Sequence, residues 1–341
     1  MKILLIGGTG TISTAITEKL HELGHELTLL NRGKRSDLIP MGVEVIIGDI
    51  HNEAEVAKLL EGRTFDVVAD FIAFDLPHVE RDFRLFNGIT KQFIFISSAS
   101  AYQKPPVDAV ITESTPLSNP YWQYSQNKMI CEEWLLDCFR EDGFPITIIR
   151  PSHTYSKNSV PVAVHGHHGS WQVLKRMIEG KPVIIPGDGT SLWTVTHHTD
   201  FANAFIGLLG NPHAIGQAIH ITSDESLTWT QIHEIIAAQL GVKLNPLYVP
   251  TKLLAHAGKK FGYDFEGALL GDKSNTVLFD NSKVKRLVPG FVAKTRFDQG
   301  MADVISNVLS RPELQKEDLE FDNFCDEISD AMKQVYDMFS S

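Results

Sequence analysis

The sequence predicts a doubly wound α/β protein of the Rossmann type, with a parallel sheet and a smaller mixed α/β substrate-binding region toward the C-terminus. Three observations predict it. Short apolar runs alternate with helical patterns through residues 1–150. The runs are apolar on both faces, as in parallel strands covered by helices. A glycine turn, Gly7-Gly8-Thr9-Gly10, follows the first run at once.

The elements follow in order. Ile3 to Ile6 is a buried strand, and Ile12, Ala15, Ile16, Leu20 and Leu23 recur at helical spacing until Gly24 stops them. Further strands are expected at Glu26–Leu30, Val43–Ile47, Val67–Asp70, Phe93–Ile96 and Ile146–Ile149. Asn119-Pro120 reads as cap and first residue of a helix that runs through Tyr124 and Lys128 to Gly143. After Arg150-Pro151 the texture changes to a Gly/His-rich loop, a helix around Trp171–Glu179, a short strand at Val183–Ile185 and a turn at Pro186–Gly189. Thr199 is expected to cap a helix to Leu209, Ala218–Thr222 to be a strand, and Thr228 to begin another helix. This divides the chain into a dinucleotide-binding domain, 1–155, to which 196–222 returns, and a substrate-binding domain, 156–195 with 223–341.

The 341 residues are 43% hydrophobic with a net charge of −11, which argues against a general nucleic-acid binder. The three cysteines show no metal or disulfide spacing and read as buried thiols. No stretch approaches the about 20 apolar residues of a membrane span, and no signal peptide is evident, so the expected location is cytoplasmic.

A glycine turn between strand and helix lets backbone approach a pyrophosphate at a helix N-terminus. Here the spacing is Gly7-x-x-Gly10-x-x-Ser13, with Thr11 and Ile12 as further cofactor contacts. An ordinary βα turn is the plainer alternative. Asn31-Arg32, Lys34 and Arg35 end the second strand, where NAD enzymes usually carry an acid. NADP(H) is therefore favoured, with NAD(H) the alternative and a solvated basic loop the plain one. Asp49 and Ile50 are candidates for the adenine edge, although Asp49 reads equally as a helix cap.

Tyr124 and Lys128, four residues apart, share a helix face. A lysine ammonium there is expected to lower the tyrosine pKa and make it an acid or base. The Phe93–Ile96 strand ends in Ser97-Ser98, at the strand ends where open α/β sheets bind ligands. A hydroxyl there can hold a carbonyl or alkoxide oxygen while Tyr124 moves the proton.

With these residues the chain resembles the extended (atypical) short-chain dehydrogenase/reductases, the NAD-dependent epimerase/dehydratase family. The resemblance runs through GGTGTIS, ISSASAY, YSQNK, Ile149-Arg150-Pro151 and PGDGTSLWTVTHHTDFANAF. It implies an NAD(P)-dependent epimerase or reductase with Ser98, Tyr124 and Lys128 as catalytic trio. Lys128 would also hold the nicotinamide ribose, Ala73 would lie beside the cofactor, and Pro151 and His153 would flank the nicotinamide. It also implies a homodimer through the tyrosine helix and the helix before the fifth strand, with Leu85, Phe86, Met129, Trp134 and Leu135 as apolar surface or as packing against the sheet.

Two departures bear on substrate. Family 4,6-dehydratases follow the catalytic hydroxyl with an acidic pair, and this chain has Ala99-Ser100, which disfavours dehydration. Nucleotide-sugar members carry an arginine after the PGDG turn, and this chain has Leu192-Trp193. That puts a nucleoside-diphosphate sugar in doubt, with Lys175 or Arg176 as substitutes for the arginine. The branch also contains chloroplast stem-loop-binding proteins, so a non-catalytic NADP-binding scaffold with an RNA or protein partner is the second reading. A regulatory NADP(H) sensor is a third. The retained trio and the negative charge favour an enzyme with a small-molecule substrate.

Ser100, His165, His167 and Trp193 are the substrate-contact candidates. The run His165, His167, His168 lacks a carboxylate or cysteine to complete a metal site, and a mobile polar loop is its plain reading. Trp122 and Trp171 read as packing, Trp193 as packing or as a platform for a ring. The acidic stretch Glu317–Asp322 reads as solvated surface.

Overall fold

A computed structural model describes residues 1–340. Seven parallel strands form the central sheet: β1 (Lys2–Ile6), β2 (Glu26–Asn31), β3 (Glu44–Ile47), β4 (Val67–Asp70), β5 (Phe93–Ile96), β6 (Ile146–Pro151) and β7 (Gln217–Ile221). Their order, β7-β6-β5-β4-β1-β2-β3, reverses at β1 and β4. The crevice at that switch point is where such sheets bind ligands. Every predicted strand of the sheet is present. β1, β4 and β5 are apolar on both faces because helices cover both. β3 is the exception: it is an outer edge, and Ile47 is 69% exposed.

One face of the sheet packs α1 (Ser13–Glu22) and α6 (His198–Leu208). The other packs α2 (Glu53–Leu59), α3 (Leu76–Phe86) and α4 (Gln123–Asp142). Phe86 and Leu135 belong to the core on that face, and Leu85 and Trp134 pack against it, Trp134 meeting Phe83 edge-on, so of the apolar dimer candidates these four face inward. Leu85 and Met129 are only partly covered.

A second core, of residues between Tyr155 and Ile328, is built by α5 (Trp171–Ile178), α7 (Trp229–Gln239), α8 (Thr251–Gly258), α10 (Phe297–Ser310) and α11 (Leu319–Phe339). The short helix between α8 and α10, α9 (Ser282–Leu287), belongs elsewhere. Its Val284, with Phe291, joins the α6 face of the sheet. The expected substrate region 223–341 thus returns in part to the first domain.

Helix starts are where local reading erred. Gln123 opens α4, and Asn119 does not cap it. Its amide is buried and donates to the carbonyls of Ser100 and Gly271, each at 2.7 Å. His197 caps α6, accepting the Thr199 N–H, so the cap lies two residues before the predicted one. Gly143, at φ 72°, ends α4 as expected.

The loop before α5 is tied down rather than mobile. His168 donates its N–H to Asp318 at 3.0 Å. A Cβ on Gly166 would overlap Asp318 and Phe321. The acidic stretch is a docking surface for the same reason. Asp318 caps α11, Glu317 pairs with Lys175, and Asp322 pairs with Arg176 and Lys181. Lys175 and Arg176 are therefore spent on α11 and do not substitute for a diphosphate-binding arginine.

Two histidines make the fold acid-sensitive. Burial holds both His198 and His233 at about 4, against an ordinary 6.5, and each leaves one ring nitrogen unpartnered. The folded values lie below the unfolded ones, so the unfolded chain takes up protons first as pH falls. Stability is then full above about 6.5 and declines toward 4. Urea midpoints are expected to fall between pH 7 and pH 5, and a flat profile would contradict this.

Candidate active site

The glycine turn caps β1 with its backbone open. Gly7 holds φ 81°, and a Cβ there would lie 2.7 Å from the Ile72 side chain. Ser13, in the third glycine's place, does more than keep small. Its hydroxyl donates to the Gly7 carbonyl at 2.6 Å and accepts from the Gly10 N–H at 2.8 Å. A cleft of about 450 Å³ opens beside this turn. Of the cofactor candidates, Gly7, Gly10, Asn31, Arg32, Asp49 and Ile50 line it, and so do Lys34 and Arg35. Arg35 also donates to the Thr9 carbonyl at 3.1 Å, binding the basic loop to the glycine turn. Asp49 does not cap α2, whose cap position is Asn52. Thr11 and Ile12 stand just past the turn, outside the lining.

A second cavity, about 250 Å³, lies at the ends of β5 and β6. Ser98, Ser100, Tyr124, Pro151, His153 and Trp193 line it, joined by Trp122, Phe279 and Asp272. Ser98 and Ser100 share a hydrogen bond of 2.8 Å, and Ser100 and Ser125 one of 2.7 Å. The Tyr124 ring lies 5.1 Å from that of Trp122 and 6.4 Å from that of Phe74, which lines the glycine-turn cleft. Tyr124 thus lines the chamber and neighbours one residue of the cleft.

The expected effect of Lys128 on Tyr124 is not found. Burial raises the phenol pKa, and only the Ser98 hydroxyl pulls it down. The Lys128 amine donates instead to the carbonyls of Ala73, at 2.6 Å, and Ile96, at 2.7 Å. Burial also brings its own pKa down to about 8. Shared helix face puts the amine 5.7 Å from the tyrosine ring centre. The nearby carbonyls then claim its protons. Ala73 is buried, and it enters the site through that carbonyl.

A family model described as the NAD dependent epimerase/dehydratase family matches residues 3–222. The chain belongs to that family. This epimerase/dehydratase-family protein is an NAD(P)-dependent enzyme of the extended short-chain dehydrogenase/reductase type. It is similar to a 2'-dehydrokanamycin reductase of Streptomyces kanamyceticus, 23% identical over 292 residues, 85% of this chain and 80% of the relative. The chloroplast stem-loop binding protein of 41 kDa b of Arabidopsis thaliana is 27% identical over 248 residues, 67% of this chain and 60% of that protein. In fold it is similar to a UDP-glucuronic acid 4-epimerase from Bacillus cereus, solved with UDP-glucuronic acid and NAD. That likeness has a TM-score of 0.72 at 18% identity, over 91% of this chain and 100% of the other.

Within this family member the histidines separate. The His153 ring packs at a tilt against Trp193, 4.6 Å between centres, in the chamber, and burial holds its pKa at about 3. His165 and His167 line a different cavity, of about 340 Å³, with Tyr263, Asp264 and Lys273. Among the described residues no group of three His, Cys, Asp or Glu is arranged around a metal position. Trp193 is both packing and wall: it is 4% exposed, with Trp229 4.5 Å behind it. Trp122 is chamber wall rather than mere packing. Sequence reading missed Asp272 and Lys273 entirely. They end an eight-residue π-helix, Glu266–Lys273, in a region with no strong periodicity to mark them.

Proposed function

We propose that this protein is an NADP(H)-dependent epimerase or reductase acting on a hydroxyl or ketone of a sugar or sugar-nucleotide-like substrate, with Tyr124 as acid/base. The observation that carries this is the position of Tyr124, in the chamber lined by Ser98 and with its ring 6.4 Å from that of Phe74 in the glycine-turn cleft. Gly7, Gly10, Arg32 and Ile50 would hold the nicotinamide cofactor, which would supply or take the hydride. Tyr124 gives its proton to the carbonyl oxygen as that oxygen gains charge, and Ser98 donates a hydrogen bond to the same oxygen. Ser100 and Ser125 orient Ser98 through the hydroxyl chain. Burial keeps Tyr124 protonated at neutral pH, the form that suits carbonyl reduction. Lys128 braces the ends of β4 and β5 through Ala73 and Ile96.

Incubation with NADPH and a panel of keto-sugars tests this reading. Net reduction consumes NADPH. Epimerisation instead leaves nicotinamide bound through gel filtration. Neither consumption nor bound nicotinamide would refute both forms.

The preference for NADP(H) is supported by Arg32, Lys34 and Arg35 in the cleft. Arg32→Ala is expected to raise the KM for NADPH about tenfold while changing that for NADH little, because only the former carries a 2′-phosphate. Equal effects on both cofactors would count against it. A homodimer through α3 and α4 rests on Met129, the one of the five candidates that does not pack against the core.

A further inference from the structure

The chamber beside Ser98 carries a charge for which the proton-transfer scheme has no use. Asp272 lines it, and no lysine or arginine does. The remaining walls are aromatic or hydroxylic, chiefly Trp122, Trp193, Phe279 and Thr194. Asp272 sits on the π-helix Glu266–Lys273, a conformation that is rare and frequent at functional sites.

Its place is built, not incidental. Asn119 donates at 2.7 Å both to the Gly271 carbonyl, next to Asp272, and to the Ser100 carbonyl. That one amide registers the π-helix on the hydroxyl segment. A Cβ on Gly271 would come within 3.0 Å of Trp122, and one on Gly267 would overlap the indole. Two glycines thus let the turn lie against the ring. Among the described residues no ion pair engages the Asp272 carboxylate. The Lys273 amine donates to the Ala163 carbonyl at 3.0 Å and lies 5.7 Å from the Trp193 ring centre. Burial raises the Asp272 pKa, and the Lys104 and Lys273 charges and a hydrogen bond from Trp193 oppose that rise.

We propose that Asp272 is a specificity-determining residue that accepts hydrogen bonds from hydroxyl or amino substituents of a sugar ring carrying no nucleoside diphosphate. This rests on the reading of the chamber as the substrate site. A carboxylate offers about four acceptor positions, which suits adjacent ring donors. The partly exposed Trp122 indole suits the C–H face of the ring, with Trp193 as fixed wall beside it. A diphosphate at this wall would meet a negative charge and no lining cation. The volume, about 250 Å³, accommodates one ring rather than a ring and a nucleotide.

The test titrates methyl glucoside, methyl glucosaminide and UDP-glucose into NADP⁺-loaded protein, read by tryptophan fluorescence. The glycosides are expected to bind more tightly than UDP-glucose. Asp272→Asn is expected to weaken them about tenfold or more while NADP⁺ affinity stays as in the wild type. Preference for the glucosaminide identifies an ammonium as the donor, and parity identifies hydroxyls. Tighter binding of UDP-glucose, unchanged glycoside affinity in Asp272→Asn, or no glycoside binding overturns the proposal. Failure of the wild type to bind NADP⁺ instead sinks the broader functional reading. Unchanged NADP⁺ binding in the variant shows that it is folded.

Discussion

Tyr124→Phe is expected to lower kcat by at least about a hundredfold with NADPH binding unchanged. The substitution removes one oxygen and keeps the ring. The ring contacts to Trp122 and Phe74 persist, so the chamber wall stays in place. What disappears is the proposed proton donor beside Ser98. A water in that position would have to be ordered and polarised anew for each turnover. Because the phenol pKa is raised, reduction by the wild type is expected to hold its rate through neutral pH. Oxidation of an alcohol, which needs the phenolate, rises as pH rises. Turnover that survives in Tyr124→Phe, measured as NADPH consumption with a keto-sugar, would assign the proton to another group.

Glu132→Ala is expected to cost about 3–5 kcal/mol of folding stability, since it strands a buried guanidinium. Glu132 and Arg150 are 1% and 5% exposed, and they meet through bonds of 2.5, 3.0 and 3.1 Å. Ser97 donates to the same carboxylate, and the Arg150 guanidinium lies 4.8 Å over the Tyr102 ring. The pair links α4 to β6 one residue before Pro151, and Ser97 ties it to the segment just after β5, one residue before Ser98. The cost is expected to come from the lone charge more than from the lost attraction. Replacing both partners by apolar residues, Glu132→Leu with Arg150→Met, should therefore recover part of the loss. Urea unfolding of the single and double variants measures this. A double variant less stable than the single would show that the pair is a net stabiliser.

The parallel sheet was readable because its signal is local. Strands such as Phe93–Ile96 announce themselves by four successive apolar residues, and the glycine turn by its place after the first of them. Ser98, Tyr124 and the cleft residues Asn31, Arg32 and Asp49 follow from those strand ends, since strand order and ligand position are linked. Spacing on one helix was a weaker guide. It placed Lys128 beside Tyr124, but carbonyls from β5 and the loop after β4 took the amine.

What contacts across the chain decided is of another kind. Asn119 looks like a helix cap in sequence, yet it bonds a carbonyl 152 residues away. Lys175 and Arg176 look like free cations until α11 returns over them. Asp272 has no neighbour in sequence that hints at Ser98. By itself the sequence determined the fold, the glycine turn after β1 and the strand end that carries Ser98, because periodicity and strand ends are short-range properties. Only the tertiary structure decided which charges face the chamber and which are already paired. Burial and hydrogen-bond partners are set by segments that meet only once the chain has folded.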